Sequence, residues 1–131
     1  MIEITFEGGK VVTARVNGHT IRTDQPIENG GTNSAPSPFD LFLASIGTCT
    51  GIYVKTFCDH RQISSEGIRI LQTMEYDTEK KIPSVFKIEI ELPRDFPEKY
   101  KEAVVSAADL CLVKKTILNS PKFIVSARIK Q

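Results

Sequence analysis

The stretch from Ser37 to Ile52, Ser-Pro-Phe-Asp-Leu-Phe-Leu-Ala-Ser-Ile-Gly-Thr-Cys-Thr-Gly-Ile, predicts a helix with almost no polar face. Its start is well marked. Ser37 fits the N-cap, Pro38 the first helical position, and Asp40, three residues on, a shortened capping box. Phe39, Leu41, Phe42, Leu43, Ile46, Ile52, Tyr53, Val54 and Phe57 then cover most of the circumference. A helix that is apolar all round calls for burial on all sides. In so small a domain one sheet covers only one side, so a second subunit is expected to cover the other, as in an obligate dimer.

The flanking segments read as strands and shorter helices. Residues 2–6 alternate apolar and polar, and Gly8-Gly9 turn the chain. Val11 to Val16 and His19 to Thr23 flank Asn17-Gly18, the pair best suited to a type I′ hairpin. Residues 24–36 form a polar loop of 13 residues, long enough to suggest that it covers something. Residues 67–77 and 84–92 alternate again, as strands with one solvated face. Asp95 and Pro97 open a helix through about Leu110, and a shorter helix follows from Cys111 to Asn119. Pro121 ends it, and Phe123 to Ile129 reads as a last strand. The order β-β-β-α-β-β-α-α-β, with adjacent antiparallel strands, indicates an α+β fold and not a doubly wound sheet.

Length and charge narrow the function. The 131 residues suit a single domain, 1–131. With 17 basic against 16 acidic residues the chain has no electrostatic footprint for nucleic acid or an anionic membrane. No apolar run reaches the roughly 20 residues that span a bilayer. Met1-Ile2-Glu3-Ile4 lacks the start of a signal peptide, so a cytoplasmic protein is expected. Three cysteines without a secretion signal argue against a disulfide framework.

Chemistry is therefore sought at the thiols. Cys49 lies mid-helix between Gly47 and Gly51, and two helical glycines so close suggest close approach of another backbone, at a helix or subunit contact. Cys111 stands near a helix start, where amides favour negative charge. Cys49 has no such help, and its cation must come from Lys10, Arg15, Arg22, Lys114 or Lys115. A metal is not expected. Cys58, nine residues after Cys49, falls on the opposite helix face, and Cys58 and His60 diverge if helical. No hydrolytic triad, nucleophile elbow or phosphate loop is present, and no cofactor is implied. Buried cysteines also serve as plain small hydrophobes, which leaves inert packing open for each thiol.

Two blocks add a resemblance. Gly30-Gly31-Thr32-Asn33 followed by Pro36 through Gly51 resembles the long-helix signature of the OsmC/Ohr family, that is, osmotically inducible protein C and the organic hydroperoxide resistance proteins. Ala107 through Ile117 is similar to the family's second cysteine block. The resemblance is closest to the general OsmC-like branch. It implies antiparallel sheets around a long buried central helix, in an intertwined homodimer. It also implies a peroxidase in which Cys49 attacks an organic hydroperoxide, Cys111 resolves the sulfenic acid, and a thiol reductant restores the pair.

The activating groups of such peroxidases are altered here. The family pairs an arginine in the first hairpin with a glutamate directly after the helix-opening proline. In this chain those positions fall at Lys10 and Phe39, with Asp40 the nearest carboxylate. On an ideal helix Asp40 is about 180° around and about 13.5 Å along from Cys49, so it serves a thiol only across a dimer interface. Leu112 follows Cys111 where proline or serine is common in the family. Three readings follow: a peroxidase using Cys49, Cys111, Lys10 and Asp40; an OsmC-like protein with other sulfur chemistry or small-molecule binding; or a structural dimeric module.

Overall fold

Asn17 and Gly18 both adopt positive φ, 48° and 80°, as a type I′ turn requires of its two central residues. In the computed structural model, which describes all 131 residues from Met1 to Gln131, this turn joins β2 (Val11–Val16) to β3 (His19–Thr23), with Val16 opposite His19. On the other side of β2 lies β1 (Glu3–Gly8), giving an antiparallel sheet in the order β1-β2-β3. The register slips between Phe6 and Gly8, where Gly8 takes a φ of 108°. The chain divides into two units, Met1–Ser45 and Ile46–Gln131.

The long loop after β3 is organised by one buried carboxylate. Asp24, 1% exposed, accepts hydrogen bonds from the Gln25 N–H at 2.7 Å, the Ser34 hydroxyl at 2.6 Å, the Ser34 N–H at 3.0 Å and the Thr32 hydroxyl at 2.8 Å. A carboxylate satisfied by several donors stays ionised even when buried. The Ser34 hydroxyl contributes most to holding the Asp24 carboxyl far below the usual carboxylate range; the N–H groups of Ser34 and Gln25 and the Thr32 hydroxyl add to it, against the opposing effect of burial. Gly31 makes this wrap possible, because a Cβ there would stand 2.0 Å from the Gln25 carbonyl oxygen.

The long helix, α1 (Pro38–His60), starts as its sequence dictates. The Ser37 hydroxyl accepts the Asp40 N–H at 3.1 Å, the N-cap bond. In the second unit the buried stripe Ile46, Thr50, Val54 and Phe57 runs down α1 at three- and four-residue steps. There β4 (Arg69–Tyr76) and β5 (Pro83–Glu91) form an antiparallel hairpin, with Arg69 opposite Glu91 and Met74 opposite Phe86. Its turn is held by Asp77, whose carboxylate accepts the N–H groups of Glu79 and Lys80 at 2.9 and 2.8 Å. The core joins Val54, Phe57 and Cys58 to Val104 and Ala108 of α2 (Lys101–Ala108), with Ile68, Ile70, Ile90 and Leu92 packed against it. Burial of each large aliphatic or aromatic side chain in such a cluster contributes about 1.5–3 kcal/mol. A last helix, α3 (Leu112–Leu118), follows Cys111.

The mixed α+β architecture, with antiparallel sheets and a long helix, matches the class expected from the sequence. Several details differ. The helix expected from Asp95 begins instead with a 3-10 turn at Glu98–Tyr100. Gly47 and Gly51 admit side chains of β4, not another backbone: a Cβ at Gly47 would stand 2.9 Å from Gln72 Oε1, and one at Gly51 3.6 Å from Ile70 Cδ1. Within the single chain α1 is not buried all round, since Phe39, Phe42 and Ile52 are exposed. Residues 123–129 form no strand, and Phe123, Ile124, Val125 and Ile129 are exposed, because a strand exists only where another backbone pairs with it. At 23 residues α1 is also long and apolar enough by composition to cross a bilayer, contrary to the sequence expectation. Its buried stripe against β4, β5 and α2 is the packing of a protein core helix.

Two outcomes test this description. Gly31→Ala should destabilise the first unit by about 1–3 kcal/mol, the usual cost of forced overpacking, measured by amide hydrogen exchange of residues 24–36. The contribution of Asp24 should be complete above its ordinary carboxyl pKa and be lost as pH falls below about 4 toward its depressed native value, while Asp24→Asn removes that acid dependence.

Candidate functional site: a pair of neighbouring thiols

Cys49 and Cys111 are brought together. Cys49 lies on α1 one residue before Thr50 of the buried stripe and is half-buried, whereas Cys111 is wholly buried. Both are free thiols. Cys111 stands at the N-cap of α3 in an extended conformation, φ −50° and ψ 123°, and its carbonyl accepts the Lys115 N–H at 3.0 Å. The Cys49 side chain and the N–H groups of Lys114 and Val113 face its sulfur.

These contacts act against burial. Burial pushes the Cys111 thiol up, yet the net shift is downward. The Cys49 side chain, the Lys114 and Val113 amides, and the charge of the Lys114 ammonium together outweigh desolvation. Lys114 is itself fixed in place: Nζ donates to the Ala108 carbonyl at 3.1 Å and stands 3.6 Å from an Asp109 carboxylate oxygen. Lys114 is one of the cations that the sequence offered, and its ammonium acts on Cys111.

A cavity of about 400 Å³ adjoins Lys114, lined by Ile46, Phe86, Ile88, Ile117 and Leu118 together with Asp109. Ile46 lies three residues before Cys49 on α1. Apolar walls with one or two polar groups at the edge are the usual composition of a small-molecule site.

The other sequence candidates are not among these contacts. Lys10 belongs to the first unit, where its Cε would be 3.5 Å from a Cβ placed on Gly30. Asp40 is exposed in the first turn of α1, and its backbone N–H is the one that binds Ser37. Arg22 donates to the Ser34 hydroxyl at 2.9 Å and Arg15 lies opposite Glu3 in the first sheet. Cys58 is fully buried in the core, and burial, with the nearby Asp59 charge, pushes its thiol up. Asp109 and Asp24 were not singled out by sequence; for Asp24, the hydroxyl residues Thr32 and Ser34 downstream were the available signal.

A family model described as OsmC-like protein matches residues 31–126, from the Asp24-centred loop through both thiols. The chain belongs to the OsmC-like family. Solved structures agree on this fold. A Psychrobacter arcticus protein assigned to the osmotic stress and detoxification response superposes with a TM-score of 0.74 at 23% identity, covering 88% of this chain and 85% of its own. An OsmC-like protein from Mycoplasma pneumoniae gives 0.71 at 15% identity, covering 90% and 86%. An organic hydroperoxide resistance protein OsmC from Legionella pneumophila gives 0.54 at 22% identity, covering 89% and 87%. No protein of curated function matches the sequence.

In this OsmC-like chain, removal of the Lys114 charge by Lys114→Met should raise the pH at which the Cys111 thiolate forms. Thiolate absorbance near 240 nm, titrated in a Cys49→Ser, Cys58→Ala background so that Cys111 is the remaining thiol, checks it.

Proposed function

We propose that the chain is a thiol-dependent peroxidase acting on organic hydroperoxides, with Cys49 as the peroxidatic and Cys111 as the resolving cysteine. The observation that carries this reading is that the Cys49 side chain faces the Cys111 sulfur, one partly accessible and the other enclosed. A sulfenic acid condenses readily with a neighbouring thiol. The Cys49 sulfur attacks the terminal peroxide oxygen, the O–O bond breaks, and the alcohol leaves with a proton. Cys49 is then a sulfenic acid, oxidised by two electrons. Attack by Cys111 on that sulfur expels water and forms the disulfide. An external dithiol returns both cysteines to thiols by exchange. The apolar cavity beside Lys114 suits the organic portion of the hydroperoxide. Family membership, and the presence of a hydroperoxide resistance protein among the solved structures of this fold, support the assignment.

The working form is proposed to be a homodimer in the cytoplasm, where free thiols persist. Phe6, Ile52, Phe123 and Val125 expose more apolar surface than an isolated chain usually leaves in water, and a second copy is the simplest cover. Asp40 would then act only on the partner's thiol, and Lys10 would supply at most a point charge in place of an arginine fork.

Phe39 favours a second reading. It is exposed, stacks on Phe42 with ring centroids 5.7 Å apart, and brings no carboxylate to the position that the family resemblance gives to glutamate. On that reading the scaffold performs other sulfur chemistry or binds a small molecule. The assay separates the two. Cumene hydroperoxide consumption with dithiothreitol or a lipoyl dithiol should be saturable in the parent and fall at least about a hundredfold in Cys49→Ser, as expected for loss of a nucleophile. Equal consumption by both proteins would sink the peroxidase.

A further inference from the structure

We propose that the cavity beside Lys114 binds an aliphatic monocarboxylate, with the acid group on the Lys114 ammonium in place of Asp109 and the chain along Ile46, Phe86 and Ile88. The proposal deepens the peroxidase reading by assigning an occupant to the same cavity. It rests on that reading only for the use to which the occupant is put.

The walls come first. Ile46 is 1% exposed and belongs to the core stripe of α1. Phe86 and Ile88 stand two residues apart on β5 and so share one face of the hairpin. From α3 come Ile117 and Leu118, and Leu118 is 82% exposed. The volume of about 400 Å³ falls among the roughly 300–1,000 Å³ of small-molecule sites. An aliphatic chain placed there would take this apolar surface out of water, which favours binding.

The polar end is set by an unequal ion pair. Lys114 Nζ donates to the Ala108 carbonyl at 3.1 Å, which fixes the ammonium in place. The Asp109 carboxylate oxygen stands 3.6 Å away, beyond hydrogen-bond range, so that contact is charge attraction without a bond. Side-chain exposure is 23% for Lys114 and 83% for Asp109. Asp109 is already hydrated and loses little by turning into water, because exposed pairs contribute little. Lys114 is tied to Ala108 and stays. An ammonium has three donors, and an acid group within hydrogen-bond range would gain the charge-assisted bond that Asp109 does not make.

Charge selects the ligand class. A neutral chain would leave the ammonium with Asp109 as before. A second negative charge would be pressed against Ile46, Phe86, Ile88 or Ile117, none of which can pair with it. One charge at the end of an apolar chain matches a lining of one ammonium, one loosely held carboxylate and aliphatic or aromatic walls.

Octanoate and its neutral isostere octanamide are the probes, titrated by calorimetry against the reduced full-length protein. The parent should bind octanoate saturably and at least about tenfold more tightly than octanamide, the effect of one charge-assisted hydrogen bond. Lys114→Met should abolish that preference while octanamide still binds. Asp109→Asn, at an exposed side chain, should tighten octanoate binding alone, and it decides the matter if the methionine variant fails to fold. Equal affinity of the parent for both probes would overturn the proposal. So would an octanoate preference that survives Lys114→Met, octanoate binding no tighter in Asp109→Asn, or no binding because a second copy fills the cavity. Cumene hydroperoxide turnover is measured alongside. Discrimination between the probes without turnover refutes the peroxidase and leaves the acid site standing. Turnover without discrimination does the reverse.

Discussion

The second unit depends on the fit of one stripe of α1 against the β4–β5 hairpin and α2. Ile46, Thr50, Val54 and Phe57 are spaced so that a single helix face closes the core, and Gly47 lets Gln72 reach within a distance that a Cβ would forbid. This packing fixes the rotation of the helix about its own axis. Because side chains follow that rotation at about 100° per residue, fixing the stripe fixes Cys49 as well. The approach of Cys49 to Cys111 is therefore a consequence of core packing, not a separate device.

The chemistry follows from an unequal division of labour within the pair. Cys111 gives up all solvent exposure, which alone would push its thiol pKa up, while the Cys49 side chain, two amides and the Lys114 ammonium pull it down. Cys49 keeps access to solvent. The cavity walls supplied by Ile46, Phe86 and Ile88 show how the same hairpin that supports the helix also shapes the approach to Lys114.

The sequence was most legible where local chemistry dictates local geometry. Asn17-Gly18 specified its turn, Ser37-Pro38 specified the start of α1, and alternating residues in 84–92 specified a strand with one wet face. It was less legible where the outcome depends on what lies across space. Gly47 and Gly51 signalled close approach but not that the visitor is a strand side chain. The apolar run at 123–125 signalled a strand, but pairing is a property of two segments and none is supplied by this chain. At the site, the two thiols were readable from their blocks, whereas the placement of Lys114 beside Cys111 required the turn between α2 and α3. Asp24 was hidden for a similar reason: a buried carboxylate is declared by donors eight and ten residues away.

Cys58 has a role in this economy of sulfur that consists of staying out of it. Three thiols permit three pairings, and an oxidised Cys49 that met the wrong partner would be trapped in a dead-end crosslink. Nine residues of helix carry Cys58 to the opposite side of α1, into the core with Val104 and Ala108, where burial keeps it protonated. The helix phase that delivers Cys49 to its partner also insulates the spare thiol. Separation of the third thiol from the other two is thus written into the periodicity of α1.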